Sequence, residues 1–379
     1  MSLASSLTCF SHHLYLRTAC MAETIKVIVV DDAVVVRTLL LRVLSTDPAI
    51  DVVDVAENGR VGIEKIAKHA PDLVVLDLEM PEMNGLAAMR VIRKRWPKLP
   101  VIVFSGHAED AGRVTIEAMA AGATDYILKP DGGRGSRIHE VLKGQLIPMI
   151  RAICGRHPAA LTAPLAALPK STTARRPGVK FEVLAIAAST GGPMALDQIV
   201  RELPSDFPIP VVIVQHMPAG FTRHFSERMN THTLLNVREG VQGPPLKAGD
   251  VWVAPGGFHM VLQTDERGPQ LALNRDEAEN SCRPAADPLF RSVAKLYGDK
   301  ALVVVLTGMG RDALAGCNAI SEAGGHILVQ DQKSSAVWGM PGEVASAGLA
   351  AEILPLDRMA ATIARLCSKP SAALGRPTG

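Results

Sequence analysis

Three residues have the types and setting needed for acyl transfer: Ser189, His216 and Asp312. Each closely follows a run of apolar residues. Seven of the eight residues from Phe181 to Ala188 are apolar, and comparable runs span Pro210–Val214 and Ala301–Leu306. Continuous apolar runs of this length fit strands buried on both faces of a parallel sheet. Parallel strands present their C-terminal ends on one side, so the serine, histidine and aspartate would converge in one crevice. There His216 would take the Ser189 proton, Asp312 would orient the imidazolium, and backbone N–H groups of the glycine-rich turns, Met309 among them, would hold an oxyanion. Taken singly, each has a plainer reading: Ser189 as a cap of the helix opened by Pro193, His216 as a structural histidine, Asp312 as an N-cap. Their coincidence at three strand ends favours the triad.

A second set of strand-end residues occurs earlier. Asp31 and Asp32 follow Val27–Val30, Asp77 follows Leu73–Leu76, Ser105 follows Val101–Phe104, and Lys129 follows Asp125–Leu128. Three carboxylates at one edge repel unless a cation neutralises them, and a hard divalent ion such as Mg2+ suits an all-oxygen site. Asp77 is then placed to attack a phosphoryl donor and form an acyl phosphate, with Lys129 and the Ser105 hydroxyl on the phosphoryl oxygens. Each carboxylate alone would pass for a solvated strand end.

Strand patterns alternating with helical periodicity predict an α/β chain of two doubly wound parallel-sheet domains. The expected divisions are an N-terminal extension over 1–24, a first domain over 25–150, a linker over 151–179, a second domain over 180–370 and a tail over 371–379. The extension is expected to be disordered or to precede the true start near Met21. The linker is rich in Pro, Ala, Ser and Thr and carries five Lys/Arg against no Asp/Glu. Neither flanking block has a basic footprint, so nucleic acid is not an expected partner. Mean hydropathy is +0.18, and no 18-residue apolar run suggests membrane insertion. The six cysteines show no metal-ligand spacing, as in a reduced cytosolic protein.

The motifs carry two resemblances. Asp31-Asp32, Asp77-Leu78-Glu79-Met80-Pro81 with Asn84-Gly85, Ser105, Tyr126 and Lys129-Pro130 make residues 25 to about 150 similar to a response-regulator receiver domain. That resemblance implies phosphorylation of Asp77 by a sensor histidine kinase, Tyr126 as the switch aromatic, and the Glu79 backbone carbonyl as a further metal ligand beside Asp31, Asp32 and Asp77. Ala187-Ala188-Ser189-Thr190-Gly191-Gly192, Gln215-His216-Met217-Pro218 and Thr307-Gly308-Met309-Gly310-Arg311-Asp312 resemble the catalytic domain of chemotaxis protein-glutamate methylesterases. Ala254-Pro255-Gly256-Gly257 with His259, Arg283-Pro284 with Asp287, and Gly339-Met340-Pro341 extend the match.

The second resemblance implies hydrolysis of γ-glutamyl methyl esters on cytoplasmic chemoreceptor helices, deamidation of receptor glutamines, and a receiver that covers the cleft until phosphorylated. It implies a cytoplasmic protein needing no cofactor in the catalytic domain, and a monomer is expected. Ala187 and Ala313 stand where the family usually has glycine, which bears on local turn geometry. Two other classes compete: a catalytically inactive receiver-fused interaction module, and a dinucleotide-dependent enzyme. The latter rests on Gly308-Met309-Gly310-Arg311-Asp312-Ala313 after a strand, with Asp331 about twenty residues on.

Overall fold

The computed structural model describes residues 24–106, 109–129, 135–155 and 180–368. Nearly all of the expected N-terminal extension and linker, the whole C-terminal tail, and Pro130 lie outside the described residues. Two parallel α/β domains follow one another along the chain, as the alternating patterns predict.

In the first, β1 (Ile25–Val30), β2 (Ile50–Ala56), β3 (Leu73–Asp77), β4 (Val101–Ser105) and β5 (Asp125–Leu128) form a parallel sheet ordered β2-β1-β3-β4-β5. Helices α1 (Val34–Leu44) and α5 (Gly135–Ile153) cover one face. On the other face lie α2 (Gly59–His69), α3 (Gly85–Arg95) and α4 (Glu109–Ala120). The strand order reverses between β1 and β3, which puts Asp31 and Asp77 side by side at the crevice where such sheets bind ligands. Helix α5 runs past residue 150, and Arg151 pairs with Asp47 through Nε to Oδ2 at 2.6 Å and Nη2 to Oδ1 at 2.5 Å. Arg151, assigned to the linker from sequence, therefore belongs to the helix.

The second domain has a seven-stranded sheet ordered β14-β13-β12-β6-β7-β9-β8, parallel throughout. Its strands are β6 (Val183–Ala188), β7 (Val211–Gln215), β8 (Asn236–Glu239), β9 (Asp250–Val253), β12 (Ala301–Val305), β13 (His326–Gln330) and β14 (Glu352–Leu354). An antiparallel hairpin of β10 (His259–Asp265) and β11 (Gly268–Asn274) stands apart. Helices α6 (Gly192–Glu202), α7 (Phe221–Asn230) and α11 (Leu356–Cys367) pack on one face; α8 (Ala286–Tyr297), α9 (Leu314–Glu322) and α10 (Met340–Ser346) pack on the other. Every residue of β6 is buried. Emptying its core position at Ile186 to alanine would cost about 2–5 kcal/mol.

The domains share apolar surface. Ile116 of α4 belongs to the core around α6 and α7, and Tyr126 and Leu128 of β5 pack against that core. The Asp125 carboxylate accepts a hydrogen bond from the Thr190 side chain.

Candidate active site

Strand β6 lies between β12 and β7, so Ser189, His216 and the turn leading to Asp312 emerge from three adjacent strand ends. Backbone bonds tie the ends together: Ser189 N donates to Thr307 O at 3.0 Å, and His216 N to Ala188 O at 3.2 Å. Two glycines allow the close approach. A Cβ on Gly192 would lie 2.1 Å from Gln215 Oε1, and one on Gly308 would lie 2.8 Å from Ser189 Cβ. Pro193 sits in the first turn of α6, as its position predicts.

His216 Nε2 and Asp312 Oδ2 are 2.7 Å apart. Sequence reading placed Asp312 at the start of the following helix, but α9 begins at Leu314 behind a left-handed Ala313. The carboxylate instead caps a different helix. Ala285, the N-cap of α8, has no capping side chain, and the first N–H groups of that helix reach Asp312: Ala286 N to Oδ2 at 2.6 Å and Asp287 N to Oδ1 at 3.1 Å. A helix N-terminus favours an anion there. Burial works against ionisation of Asp312, but the contact with His216 and the two N–H donors outweigh it and hold its pKa low. Burial likewise opposes the imidazolium; hydrogen bonds to Asp312 and Cys282 overcome it and push His216 up to about 10.

The other ring nitrogen, Nδ1, lies 3.5 Å from Cys282 Sγ. Among the described residues no hydrogen bond joins it to Ser189 Oγ, so the serine and histidine are neighbours that have yet to engage. With Nε2 committed to the carboxylate, the neutral ring carries its proton there and leaves Nδ1 as the basic atom. Cys282 and Asn280 are site residues that sequence reading missed. They lie in an irregular stretch with no periodicity, and their only signal was proximity to Arg283-Pro284. Asn280 Nδ2 donates to both Asp312 Oδ1 and Asp287 Oδ2. His259 is structural: Ala285 N donates to its Nδ1, and its Nε2 meets Glu277 O, pinning the stretch.

At the first domain's crevice, Asp31, Asp32 and Asp77 can bring one oxygen each within 4.8 Å of one another. Lys129 Nζ is 2.7 Å from Asp77 Oδ2 and 3.3 Å from Asp31 Oδ2. Beyond that ion pair, both buried oxygens lack a donor among the described residues. Burial, more than the neighbouring Asp77 charge, raises the pKa of Asp31 against the pull of Lys129. Buried, under-neutralised carboxylate oxygens fit a hard divalent cation. Glu79 N donates to Asp77 Oδ1 at 3.3 Å, and Ser105 Oγ accepts from Thr115 Oγ1 at 2.6 Å. Tyr126 points across the domain boundary and stacks on Phe221.

The family model for the response regulator receiver domain matches residues 27–141, and that for CheB methylesterase matches 184–363. A protein-glutamate methylesterase/protein-glutamine glutaminase of Trichodesmium erythraeum is 43% identical over 345 residues, covering 90% of this chain and 98% of the relative. One from a Nocardioides species is 44% identical over 348 residues, covering 90% and 95%. The chain belongs to this family. The Thermotoga maritima CheB methylesterase catalytic domain is 36% identical, covers 50% of this chain and 100% of its own, and superposes with a TM-score of 0.48.

Family membership disfavours the competing classes, and the local geometry agrees for the dinucleotide motif. Gly308 is packed against Ser189 and Met340. Asp331 Oδ1 accepts from the backbone and hydroxyl of Ser334, closing a turn.

Proposed function

We propose that this chain is a phosphorylation-activated serine esterase of the cytoplasm. It removes methyl groups from γ-glutamyl methyl esters on chemoreceptor helices, and its family relatives suggest that it also deamidates receptor glutamines. The observation that carries the reading is the 2.7 Å contact between His216 Nε2 and Asp312 Oδ2 beside the Ser189 strand end.

Ser189 Oγ attacks the ester carbonyl while His216 Nδ1 takes its proton, and Asp312 stabilises the imidazolium. The backbone N–H of Met309, in the turn after β12, meets the oxyanion. His216 returns the proton to the departing methanol, then activates water against the acyl-serine. A hydrogen bond from Ser189 to Nδ1 requires the serine to displace the Cys282 thiol, a tightening that apo sites commonly await.

The receiver supplies control. Asp31, Asp32, Asp77 and the Glu79 carbonyl would hold Mg2+, which when bound would supply charge neutralisation at the carboxylates, and Asp77 would accept the phosphoryl group of a histidine kinase. Lys129 and Ser105 bind the phosphoryl oxygens, and Tyr126 reports the change to Phe221 and α7. No helix among the described residues is long and apolar enough to cross a membrane, and we expect a monomer acting on receptor tails. The test is methanol release from methylated receptor membranes with and without acetyl phosphate and Mg2+: the phosphodonor should stimulate it in the native chain and not in Asp77→Asn. Equal stimulation of both would remove Asp77 from the role.

A further inference from the structure

One surface amide bridges two buried carboxylates beside the catalytic histidine. Asn280 Nδ2 donates to Asp287 Oδ2 at 3.0 Å and to Asp312 Oδ1 at 3.2 Å. An amide nitrogen has two hydrogens, one for each acceptor. Asn280 takes a left-handed φ of 51°, which asparagine tolerates better than most residues. We propose that Asn280 is a positioning residue for the esterase, setting the plane of the Asp312 carboxylate so that it faces His216; this rests on the function proposed above.

The donor arrangement makes the case. Asp312 Oδ2 serves His216 and Ala286 N, while Oδ1 has Asp287 N and Asn280. Asp287 Oδ1 is taken by Gly316 N at 2.6 Å, leaving Asn280 as the donor to Oδ2. Without the amide, each carboxylate loses a donor while the two remain neighbours in a buried site, and like charges so placed turn apart or share a proton. Asp287 already has a raised pKa, from burial first and then from the Asp312 charge. The other titratable groups facing the pair are His216 and Cys282 at the cleft, Cys317 on α9, and Arg291 on α8, which is paired with Glu279.

The test uses the full chain and methanol release from methylated receptor membranes across pH, comparing Asn280→Ala with the isosteric Asn280→Asp. Losing a hydrogen bond to a charged acceptor should lower kcat about tenfold or more in both, with KM little changed. In Asn280→Asp the added negative charge should also carry the rising limb of kcat/KM about one unit upward. The charge effect in Asn280→Asp arises whatever the role of the amide, so Asn280→Ala decides: a side chain that only packs would leave it with native kcat at matched folding, and that result overturns the inference. If Asn280→Asp does not fold, Asn280→Ser, which keeps one donor, should fall between native and Ala; native behaviour in Ser would equally overturn it. A native chain that releases no methanol would defeat the esterase reading itself, a distinct outcome.

Discussion

The ring of Tyr126, on the last strand of the receiver, stacks on the ring of Phe221, the first residue of α7, with centroids 5.1 Å apart and planes within 5°. An aromatic pair of this kind is worth about 0.5–1.5 kcal/mol beyond area burial. It joins the receiver's expected switch residue to a helix flanking the active site. Phe221→Ala should therefore loosen the receiver, raise methanol release by the unphosphorylated chain several-fold and reduce its further stimulation by acetyl phosphate. Unchanged basal release with full stimulation would show that the stack carries no coupling.

Asp125 lies in the same contact, accepting from Thr190 next to Ser189, and burial raises its pKa to about 6. Because the folded pKa exceeds the unfolded one of about 3.9, ionisation of Asp125 opposes folding. That penalty is absent below about pH 3.9, grows as pH rises to about 6, and is complete above it. Asp125→Asn should raise Tm at pH 8 and lose its advantage near pH 4. An equal Tm at pH 8 would contradict the assigned burial.

His216 gives the opposite dependence. Its folded pKa of about 10 lies above the ordinary 6.5, so its stabilising contribution is full below pH 6.5 and is lost as pH climbs through about 10. As a base it must be neutral, so kcat/KM should rise with pH on the alkaline side of 6.5. The Cys282 hydrogen bond helps keep the ring charged; Cys282→Ala should shift that limb to lower pH. A limb unmoved by the substitution would mean that the thiol does not bear on Nδ1.

Ala313 sits at φ 78°, in the left-handed region, where a glycine would be unstrained. Strain of this kind costs about 1–3 kcal/mol and glycine's extra unfolded-state freedom returns about 0.4–1. Ala313→Gly should thus stabilise the chain by about 1 kcal/mol in denaturant unfolding; destabilisation would show that the alanine methyl's packing outweighs its strain. Ala187, the other departure from the family pattern, is buried within β6 and shows no positive φ.

Much of this architecture was legible because strand ends announce themselves. The apolar runs before Asp77, Ser189 and His216 are each buried on both faces, and the polar residue that follows must lie at the rim. Strands β8 to β11 were less legible: alternating, partly exposed segments such as Asn236–Glu239 and His259–Asp265 give no continuous run. Asp312 lies beside His216 as expected, but it caps α8 rather than opening the helix that follows it, and a carboxylate that caps a distant helix leaves no local trace. Asn280 and Cys282 were invisible for the same reason. Their roles depend on where an irregular stretch, pinned by His259, crosses the crevice.

The central claim is that Ser189 is the nucleophile that His216 and Asp312 serve. Methanol release from methylated receptor membranes by the phosphodonor-activated full chain, set against Ser189→Ala at matched folding, tests it most directly. The account predicts release by the native chain and none above background by the variant. Release at the native rate from Ser189→Ala would contradict it.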